Sequence, residues 1–229
     1  MTTFSVAPVA VIIPTLDEAR ELERCLPAVV KSASEVVVTD GGSRDGTPET
    51  ARRLGATVVS GERGRGLQLN RGAAATSART LLFLHADTEL PTGALEKVVE
   101  ATDADAIGGG FQIHFGSENP IYRVGSTVVN LRSRLFKTPL GDQAQFASRS
   151  SFEELGGYPD WPILEDLEFI RRLKKKGKIA ILSPAVTTSA RRFEEGGIAR
   201  TLLLNWWIFA LYYAGVSPER LARLYRDIR

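Results

Sequence analysis

The sequence has little of several residue types, and each shortage excludes a class of protein. Its 229 residues include one cysteine, Cys25, which excludes an internal disulfide and a cysteine-cluster metal site and fits a reducing cytoplasm. The formal net charge of +2 is too small to indicate nucleic-acid binding by itself. No stretch reaches the roughly 18 apolar residues of a membrane-spanning helix, the closest being 202–216. The apolar N-terminal stretch has no basic leader or small-residue cleavage site, so we predict no signal peptide.

The first half of the chain alternates short apolar runs with helical patterns. Apolar steps of three and four residues predict a helix over 17–33, with a kink or boundary at Pro27. Further helices are predicted to begin at Thr47-Pro48 and to span Thr92–Ala101. The apolar runs lack polar alternation, which predicts strands buried on both faces, at Val9–Ile13, Val36–Thr39, Thr57–Ser60 and Leu81–Leu84. The alternation of strands with helices is typical of an α/β fold with a parallel sheet. Such a sheet binds ligands beyond the carboxyl ends of its strands.

The second half of the chain is less regular. Strands are predicted over Ala106–Phe115 and Ile179–Leu182, and helices over Ile121–Phe136 and Glu165–Lys176. No internal repeat, low-complexity tract or clear linker interrupts the sequence, so we expect one compact domain with a C-terminal helical extension.

Three of the predicted strands end in polar or acidic residues, which the parallel topology brings to one crevice. These ends are Pro14-Thr15, Asp40-Gly41-Gly42-Ser43 and His85-Ala86-Asp87. The glycines of the second end would let a ligand approach the backbone, but Asp-Gly pairs and Asp45 are also typical of turns and helix caps. The glycine spacing differs from the dinucleotide fingerprint, which disfavours a nicotinamide-binding protein.

Two further residues near this crevice suit a nucleotide diphosphate. Asp87 could hold Mg²⁺ or Mn²⁺ together with phosphate oxygens, because these hard ions prefer oxygen ligands. It could instead cap a local turn or the next helix. Arg65 could contact a phosphate or stack on a base, or belong to a solvated basic loop before a helix.

Five segments, in chain order, resemble the family 2 glycosyltransferases, whose nucleotide-sugar-binding fold is called GT-A. The resemblance covers most of the chain and implies an α/β GT-A (Rossmann-like) fold, with a mostly parallel sheet flanked by helices. Each segment is weak alone, but five in the right order make a specific signal. They are the opening strand and loop VIIPTLDEA, the uridine-contacting VVVTDGGSRDGT, GRGLQLNRGA in the place of GKxxALNxG, the metal motif LHADT, and the ED-motif segment ILEDLEFIRRLKKKG.

The resemblance also implies roles for individual residues. Asp40 would accept a hydrogen bond from the uracil ring, Asp45 would support that loop, and Asp87 would hold the divalent cation, Mn²⁺ or Mg²⁺. His85 stands where the family usually has the first aspartate of the metal motif, so low metal affinity is expected; a lone histidine there packs more often than it ligates. The residues implied to bind the nucleotide are Pro14, Thr15, Glu18, Asp40, Gly42, Ser43, Asp45, Arg65, Asn70, His85 and Ala86.

For catalysis, the resemblance implies inversion at the anomeric carbon of the sugar. Asp166 would be the general base, with Glu165 beside it, and the metal would act as Lewis acid on the diphosphate. Acidic residues in the first turn of a helix are also stabilised by the helix dipole, so these two positions alone would favour a structural role.

A closer similarity, carried by GDQ at 141–143, LGGYPDWPILEDLEF and the C-terminal tail, is to a short bacterial subgroup found with arsenosugar biosynthesis genes. We expect a UDP-sugar donor and a small-molecule or lipid-phosphate acceptor. The nucleotide half would be 1–90, the acceptor and catalytic half 91–190, and the helical extension 191–229. The acceptor side is expected to include Asp142, Gln143, Arg191 and Arg192, although the two arginines could merely keep the tail soluble.

The aromatic tail, residues 202–216, leaves several interpretations open. It could be a helix packed on the acceptor side, a homodimer seam, or a peripheral membrane contact, and packing with some dimer or membrane contact is favoured. Alternatives to a transferase of soluble acceptors are a polyprenyl-phosphate glycosyltransferase at the membrane surface and a catalytically silent nucleotide-sugar-binding protein. A nucleotidyltransferase is disfavoured, because the loop PTLDEA is acidic and has no glycine.

Overall fold

One eight-stranded sheet runs through the protein. The computed structural model describes residues 7–117, 119–189 and 197–228. The strands lie in the order β3-β2-β1-β4-β7-β6-β8-β5. Pairing is parallel from β3 through β4 and between β6 and β8, whereas β7 is antiparallel to β4 and β6, and β5 to β8. The strand bounds are β1 Ala7–Thr15, β2 Ala33–Asp40, β3 Thr57–Ser60, β4 Thr80–Phe83, β5 Thr88–Glu89, β6 Ala106–Phe115, β7 Phe146–Ser148 and β8 Lys178–Thr188.

Helices cover both faces of this sheet. A short 3₁₀ turn at Gly141–Gln143 precedes β7, and two further helices follow β8 at the end of the chain. The helix bounds are α1 Ala19–Ser32, α2 Thr47–Arg53, α3 Arg65–Ala74, α4 Ala94–Asp103, α5 Pro120–Phe136, α6 Arg149–Glu154, α7 Glu165–Lys174, α8 Ile198–Tyr213 and α9 Pro218–Ile228.

The core has two layers because the central strands are buried on both faces. In β1, Val9, Val11 and Ile13 join the larger apolar cluster, which includes residues of α1 and α4. Ala10 and Ile12 point the other way, into a cluster with residues of α3 and α7. A third cluster joins α7 to α8 and α9 through Leu164, Leu167, Ile208 and Leu221.

The predicted α/β fold with a mostly parallel sheet flanked by helices is confirmed. The strands predicted at Thr57–Ser60 and Ala106–Phe115 match β3 and β6. Those predicted at Val9–Ile13, Val36–Thr39 and Ile179–Leu182 lie within longer strands, and the one predicted at Leu81–Leu84 differs from β4 by a shift of one residue. Of the kink or boundary expected at Pro27, the boundary is wrong, because α1 continues through it to Ser32. Proline removes the N–H that would bond the carbonyl of Glu23, and Glu23 is exposed, so water can take that place.

The glycine-rich start of β6 allows the 3₁₀ turn to pack directly on the sheet. A Cβ added at Gly110 would lie 2.7 Å from Cβ of Pro139 and 2.9 Å from the carbonyl oxygen of Gln143. Any side chain at this position would therefore push the 3₁₀ turn away from the strand. This contact fixes the residues that follow Leu140 near the start of α7, where Gly141 donates to Asp166.

Candidate active site

A cleft of about 990 Å³ lies beyond the carboxyl ends of β1 and β4. Its remaining walls are the first turns of α3 and α7, the loop before α7, the 3₁₀ turn, and the two C-terminal helices. It contains ten of the residues predicted from the sequence: Pro14, Thr15, Glu18, Arg65, His85, Ala86, Asp87, Asp142, Glu165 and Asp166.

Asp40 lies at the end of β2, beside this cleft but not in its wall. It pairs in register with Thr15, and its side chain is 3% exposed. Its carboxylate accepts hydrogen bonds from the backbone N–H groups of Gly42 at 2.9 Å and Ser43 at 3.1 Å. These bonds favour the turn interpretation of the loop, and they hold Asp40, Gly42 and Ser43 outside the cleft wall.

Asp45 joins two loops at the edge of the cleft. Its carboxylate accepts from the N–H of Ala19 at 3.0 Å and from the N–H of Thr47 at 3.0 Å, so it caps the starts of α1 and α2. The same two loops are tied by Asp17, which accepts from Arg44 N–H at 2.7 Å and donates its own N–H to Ser43 Oγ at 2.8 Å. Asp45 therefore ties the starts of the two helices together without lining the cleft.

Gln68 is a functional candidate that the sequence reasoning missed. Its side-chain amide donates to the carbonyl of Thr15 at 2.9 Å and to that of Thr39 at 2.7 Å, across the ends of β1 and β2. It is buried and forms part of the cleft wall. Its place in the GRGLQLNRG segment, one turn after Arg65, was the available signal.

Asn70, predicted to bind the nucleotide, instead locks a loop to α3. Its side chain donates to the carbonyl of Tyr158 at 2.8 Å and accepts from the N–H of Tyr158 at 2.8 Å. Tyr158 in turn donates its hydroxyl to Gln145 at 2.9 Å, and Gln145 donates to the carbonyl of Asp166 at 3.1 Å. In this structure Asn70 thus ties α3 to the loop before α7, three contacts away from Asp166 at the start of α7.

Glu165 and Asp166 begin α7 and are both buried at the cleft wall. Glu165 is 1% exposed and forms an ion pair with the guanidinium of Arg65. Burial opposes the charge of Arg65, but Glu165 and Asp166 raise its pKa, so it stays a cation. Glu165 thus holds Arg65 in position.

Asp166 is held as a carboxylate. Burial works against its ionisation, but the Arg65 guanidinium and two backbone amides together lower its pKa below that of an ordinary carboxyl group. The amides are those of Gly141, which donates to Oδ2 at 2.7 Å, and Leu167, which donates to Oδ1 at 2.8 Å. A carboxylate has about four acceptor sites, so these bonds leave room for a further donor from the cleft.

His85 and Asp166 approach each other around Gly141. A Cβ added to Gly141 would lie 3.0 Å from Nε2 of His85 and 3.1 Å from Oδ2 of Asp166. His85 also contributes to the lowered pKa of Asp166. The residue that replaces the usual aspartate of the metal motif therefore faces the candidate base.

Asp87 is the half-buried carboxylate at the β4 end of the cleft. The described residues contain no group of three or more histidine, cysteine, aspartate or glutamate side chains able to hold a metal by themselves. Mg²⁺ and Mn²⁺ bound with nucleotides typically take one or two carboxylates and complete their shell with phosphate oxygens and water. The single carboxylate of Asp87 fits that kind of site and excludes an all-protein metal cage among these residues.

On the acceptor side, the structure separates the predicted residues. Asp142 lines the cleft. Gln143 is fully buried, where it accepts from Ser133 Oγ at 2.7 Å and donates to the carbonyl of Phe111 at 2.8 Å, so its role is to hold the 3₁₀ turn. Arg191 and Arg192 lie outside the described residues.

An apolar wall closes the far side of the cleft. Ile208 and Phe209 of α8 and Tyr225 of α9 face the loop that carries Trp161 and Ile163 across it. None of these residues was predicted as part of the site. The sequence showed an aromatic tail, but its contact with the cleft depends on the packing of α8 and α9 against α7.

Comparison with known proteins identifies the family. Residues 10–156 match the family described as Glycosyl transferase family 2. Glycosyltransferase AglE of Haloferax volcanii is 32% identical over 122 residues, which are 47% of this chain and 40% of AglE.

Two solved structures are similar in fold. A mannosyltransferase, PcManGT from Pyrobaculum calidifontis in complex with GDP-Man and Mn²⁺, has a TM-score of 0.59 and 25% identity, over 81% of this chain and 57% of that one. Glucosyl-3-phosphoglycerate synthase from Mycobacterium tuberculosis, in complex with Mg²⁺ and UDP, has a TM-score of 0.62 and 20% identity, over 86% of this chain and 77% of that one. Both have the GT-A fold. Because the family match covers more than half of the sequence, this chain belongs to glycosyl transferase family 2.

Proposed function

We propose that the protein is an inverting, metal-dependent glycosyltransferase that moves a sugar from a UDP-sugar to a hydroxyl or phosphate acceptor. The observation that carries the proposal is that two carboxylates far apart in the chain, Asp87 and Asp166, line one cleft at the strand ends. Arg63 and Arg65 lie in the same cleft, where guanidinium groups can bind phosphate oxygens.

Asp166 is the proposed general base. It is ionised, buried at the cleft wall and held by two backbone N–H groups, so its orientation is set before substrate binds. An acceptor hydroxyl that donates to a remaining lone pair of Asp166 would lose its proton to that oxygen as it attacks the anomeric carbon. The attack comes from the side opposite the leaving nucleotide, which gives inversion.

The leaving diphosphate gains negative charge, and the protein offers groups to stabilise it. Asp87 would hold Mg²⁺ or Mn²⁺, which when bound supplies a Lewis acid at the diphosphate. Arg65, fixed by Glu165, supplies a permanent positive charge in the same cleft. Glu165 thus acts on the reaction through Arg65.

We also propose that the donor nucleotide is UDP and that the protein belongs to the arsenosugar-associated subgroup. UDP is present in the similar synthase from Mycobacterium tuberculosis, whereas the similar mannosyltransferase binds GDP-Man. The subgroup is supported by the 141–143 and 155–169 segments, which build the 3₁₀ turn and the start of α7. The lone, buried Cys25 supports a reducing cytoplasm. Burial raises the pKa of its thiol to about 12.

Replacement of Asp166 by asparagine tests the proposal. Asp166→Asn keeps the size of the side chain and removes the base, so we expect near-normal binding of UDP-sugar in calorimetry and a loss of about 10²–10⁴-fold in the release of UDP. Asp103→Asn, on the exposed end of α4, is the matched control and should leave both unchanged. Near-normal turnover by Asp166→Asn would rule out the base. Wild-type protein that binds the donor without releasing UDP would instead support a nucleotide-sugar-binding protein.

A polyprenyl-phosphate acceptor is the second candidate, and the apolar wall favours it. Ile208, Phe209 and Trp161 would contact the first isoprene units while a protonated phosphate oxygen donates to Asp166 and gives up its proton as it attacks the anomeric carbon. A polyprenyl phosphate should then accept the sugar far better than a soluble phosphate monoester of the same charge. Equal transfer rates to the two acceptors would show that the apolar wall does not bind the isoprene chain.

A further inference from the structure

The exposed apolar residues of this protein are concentrated on two helices. Of the eleven large apolar side chains that the described residues expose, six lie on α5, four on α8 and one on α9. Scattered exposed apolar residues are normal on a soluble protein, but a concentration on neighbouring elements indicates a binding surface. We call this surface the α5–α8 face: Ile121, Val124, Val128, Leu131, Leu135, Phe136, Leu203, Trp206, Trp207 and Tyr213.

Helix α5 has its apolar stripe on the outside. Its exposed residues from Ile121 to Leu135 recur at steps of three and four residues, which places them on one side of the helix. The buried residues of α5 are Tyr122 and the small residues Gly125, Ser126 and Ser133, and this side packs on β6. A surface helix normally buries its branched apolar side chains, so this arrangement leaves the stripe for a partner outside the chain.

Helix α8 continues this face. One side of it packs in the third apolar cluster and lines the cleft through Ile208 and Phe209. The other side exposes Trp206 and Trp207, each more than half accessible. The helices α5 and α8 contact each other, and the guanidinium of Arg132 on α5 lies 5.9 Å from the ring centre of Phe209 on α8.

The charge of the α5–α8 face is of one sign. The sequences of α5 and α8 contain arginine but no aspartate or glutamate. Arg123 and Arg134 lie on one flank of the α5 stripe, and Lys137 follows the helix. Within the described part of the chain these three cations have no carboxylate within 4.0 Å, whereas Arg53 and Lys97 elsewhere pair with carboxylates at 2.7 and 2.6 Å.

We propose that the α5–α8 face docks the protein on an anionic lipid bilayer. Interfacial helices combine an apolar stripe, flanking Lys and Arg, and Trp or Tyr at headgroup depth, and this face has all three. A contact with a second copy would bring together two faces of the same charge sign, which disfavours self-association. The helices lie on the bilayer in this arrangement, and among the described residues no helix is long and apolar enough to cross it. The proposal goes beyond the transfer reaction and does not depend on it.

Flotation of the full chain with lipid vesicles tests the docking. The wild-type protein should float with vesicles of phosphatidylcholine and phosphatidylglycerol, bind vesicles of phosphatidylcholine alone much more weakly, and dissociate in about 0.5 M NaCl, where charge interactions are screened. Failure to float on the anionic vesicles would overturn the proposal. A dimer in light scattering that Leu131→Ser converts to monomer, with no flotation, would assign the face to a second copy instead.

Variants separate the contribution of the basic residues to vesicle binding from that of the apolar stripe. Arg123→Gln/Arg134→Gln should lower partitioning to anionic vesicles about twentyfold, because each basic residue near the surface adds roughly fivefold. The control Lys31→Gln/Arg79→Gln removes the same charge from two exposed cations away from the face and should change little. Val124→Ser/Leu131→Ser should also weaken binding, with circular dichroism to confirm folding. Equal effects from the control and the Arg123/Arg134 variant would refute the docking geometry.

Tryptophan fluorescence gives a test without altering the face. Two of the three tryptophans, Trp206 and Trp207, lie on the face, whereas Trp161 lies in the cleft. In a Trp161→Phe variant, lipids brominated on their acyl chains should quench the remaining emission when anionic vesicles are added. Unquenched emission from a variant that floats would show that another surface makes the contact.

Discussion

Gly141 lies where the metal-motif histidine and the candidate base meet, and an added methyl group would crowd both. Its Cβ would approach Nε2 of His85 at 3.0 Å and Oδ2 of Asp166 at 3.1 Å. We therefore expect Gly141→Ala to lower kcat about 10- to 100-fold by displacing the carboxylate, with the fold intact. Gly116→Ala is the control, because its Cβ would meet a methyl group of Thr187 at 3.2 Å and the carbonyl oxygen of Thr188 at 3.6 Å, and neither His85 nor Asp166. Steady-state kinetics that show equal kcat for both variants would contradict this geometry.

The Arg65–Glu165 ion pair should be asymmetric in its effect on stability. Glu165 is almost fully buried, whereas about a third of the Arg65 side chain is accessible. Arg65→Ala leaves a buried carboxylate without its cation and should lower the free energy of unfolding by about 3 kcal/mol. Arg63→Ala, at an exposed neighbouring arginine, should stay within about 0.5 kcal/mol of wild type. Urea unfolding in the absence of donor measures the free energy of unfolding of both variants. Similar values would mean that Arg65 does not stabilise the buried Glu165 carboxylate.

At the residue scale, the place of a side chain in the cleft could be predicted where it follows from the position of the residue in the chain. Asp87 and Asp166 lie just after a strand and at the start of a helix, so their place in the cleft could be predicted. Asp40 could not be separated from a turn residue, because the choice depends on hydrogen bonds within its own loop. Gln68 was missed because its partners are backbone carbonyls of distant strands, which leave no pattern in the sequence.

Between elements, a polar contact joins α8 to the helix that carries the candidate base. The hydroxyl of Tyr212 donates to Glu168, which also accepts from Arg171 at 3.0 Å and Arg172 at 2.7 Å. Burial opposes ionisation of Glu168, but the Tyr212 and arginine hydrogen bonds lower its pKa. The contact is therefore fully present above the unfolded pKa of about 4.3 and is lost as the pH falls through the lower folded value.

Tyr212→Phe tests this contact. The variant should lose about 1.5–3 kcal/mol of unfolding free energy at pH 7, because the phenol donates to a charged group, and the difference from wild type should shrink as the pH falls below about 4. Tyr213→Phe changes the exposed neighbour in the same way and should have little effect at either pH. Chemical denaturation at several pH values measures both variants. A Tyr212→Phe effect that does not change with pH would mean that Glu168 is not the partner.

The elements themselves were predictable to different degrees. Long periodic segments such as α5 and β6 follow from their apolar spacing, and their bounds differ from the prediction by one residue or less. The two-residue β5 and three-residue β7 are too short for a pattern, and they exist because β8 and β4 offer free edges. The extension of β8 to Thr188 likewise depends on its pairing with β6 as far as Phe115.

At the scale of the whole molecule, the cleft is shared between the β1–β4 part of the sheet and the α7–α9 part. A donor bound with its metal at Asp87 and its phosphates near Arg65 would contact both parts, so binding should stabilise the entire fold. A ligand present at about 100 times its Kd adds about 2.7 kcal/mol, which for a chain of this length raises Tm by roughly 5–10 °C.

Asp87→Asn should remove the metal-dependent part of that shift. Thermal unfolding of wild type with UDP-sugar should give a higher Tm with Mn²⁺ than with a chelator, since the metal joins the diphosphate to the Asp87 carboxylate. In Asp87→Asn the two conditions should give nearly the same Tm, while Asp103→Asn, exposed on α4, should behave as wild type. Because the measurement reports binding alone, it separates the metal site from the base. A Mn²⁺-dependent shift that survives in Asp87→Asn would place the metal elsewhere in the cleft, with His85 and Asp142 as the next side chains to replace.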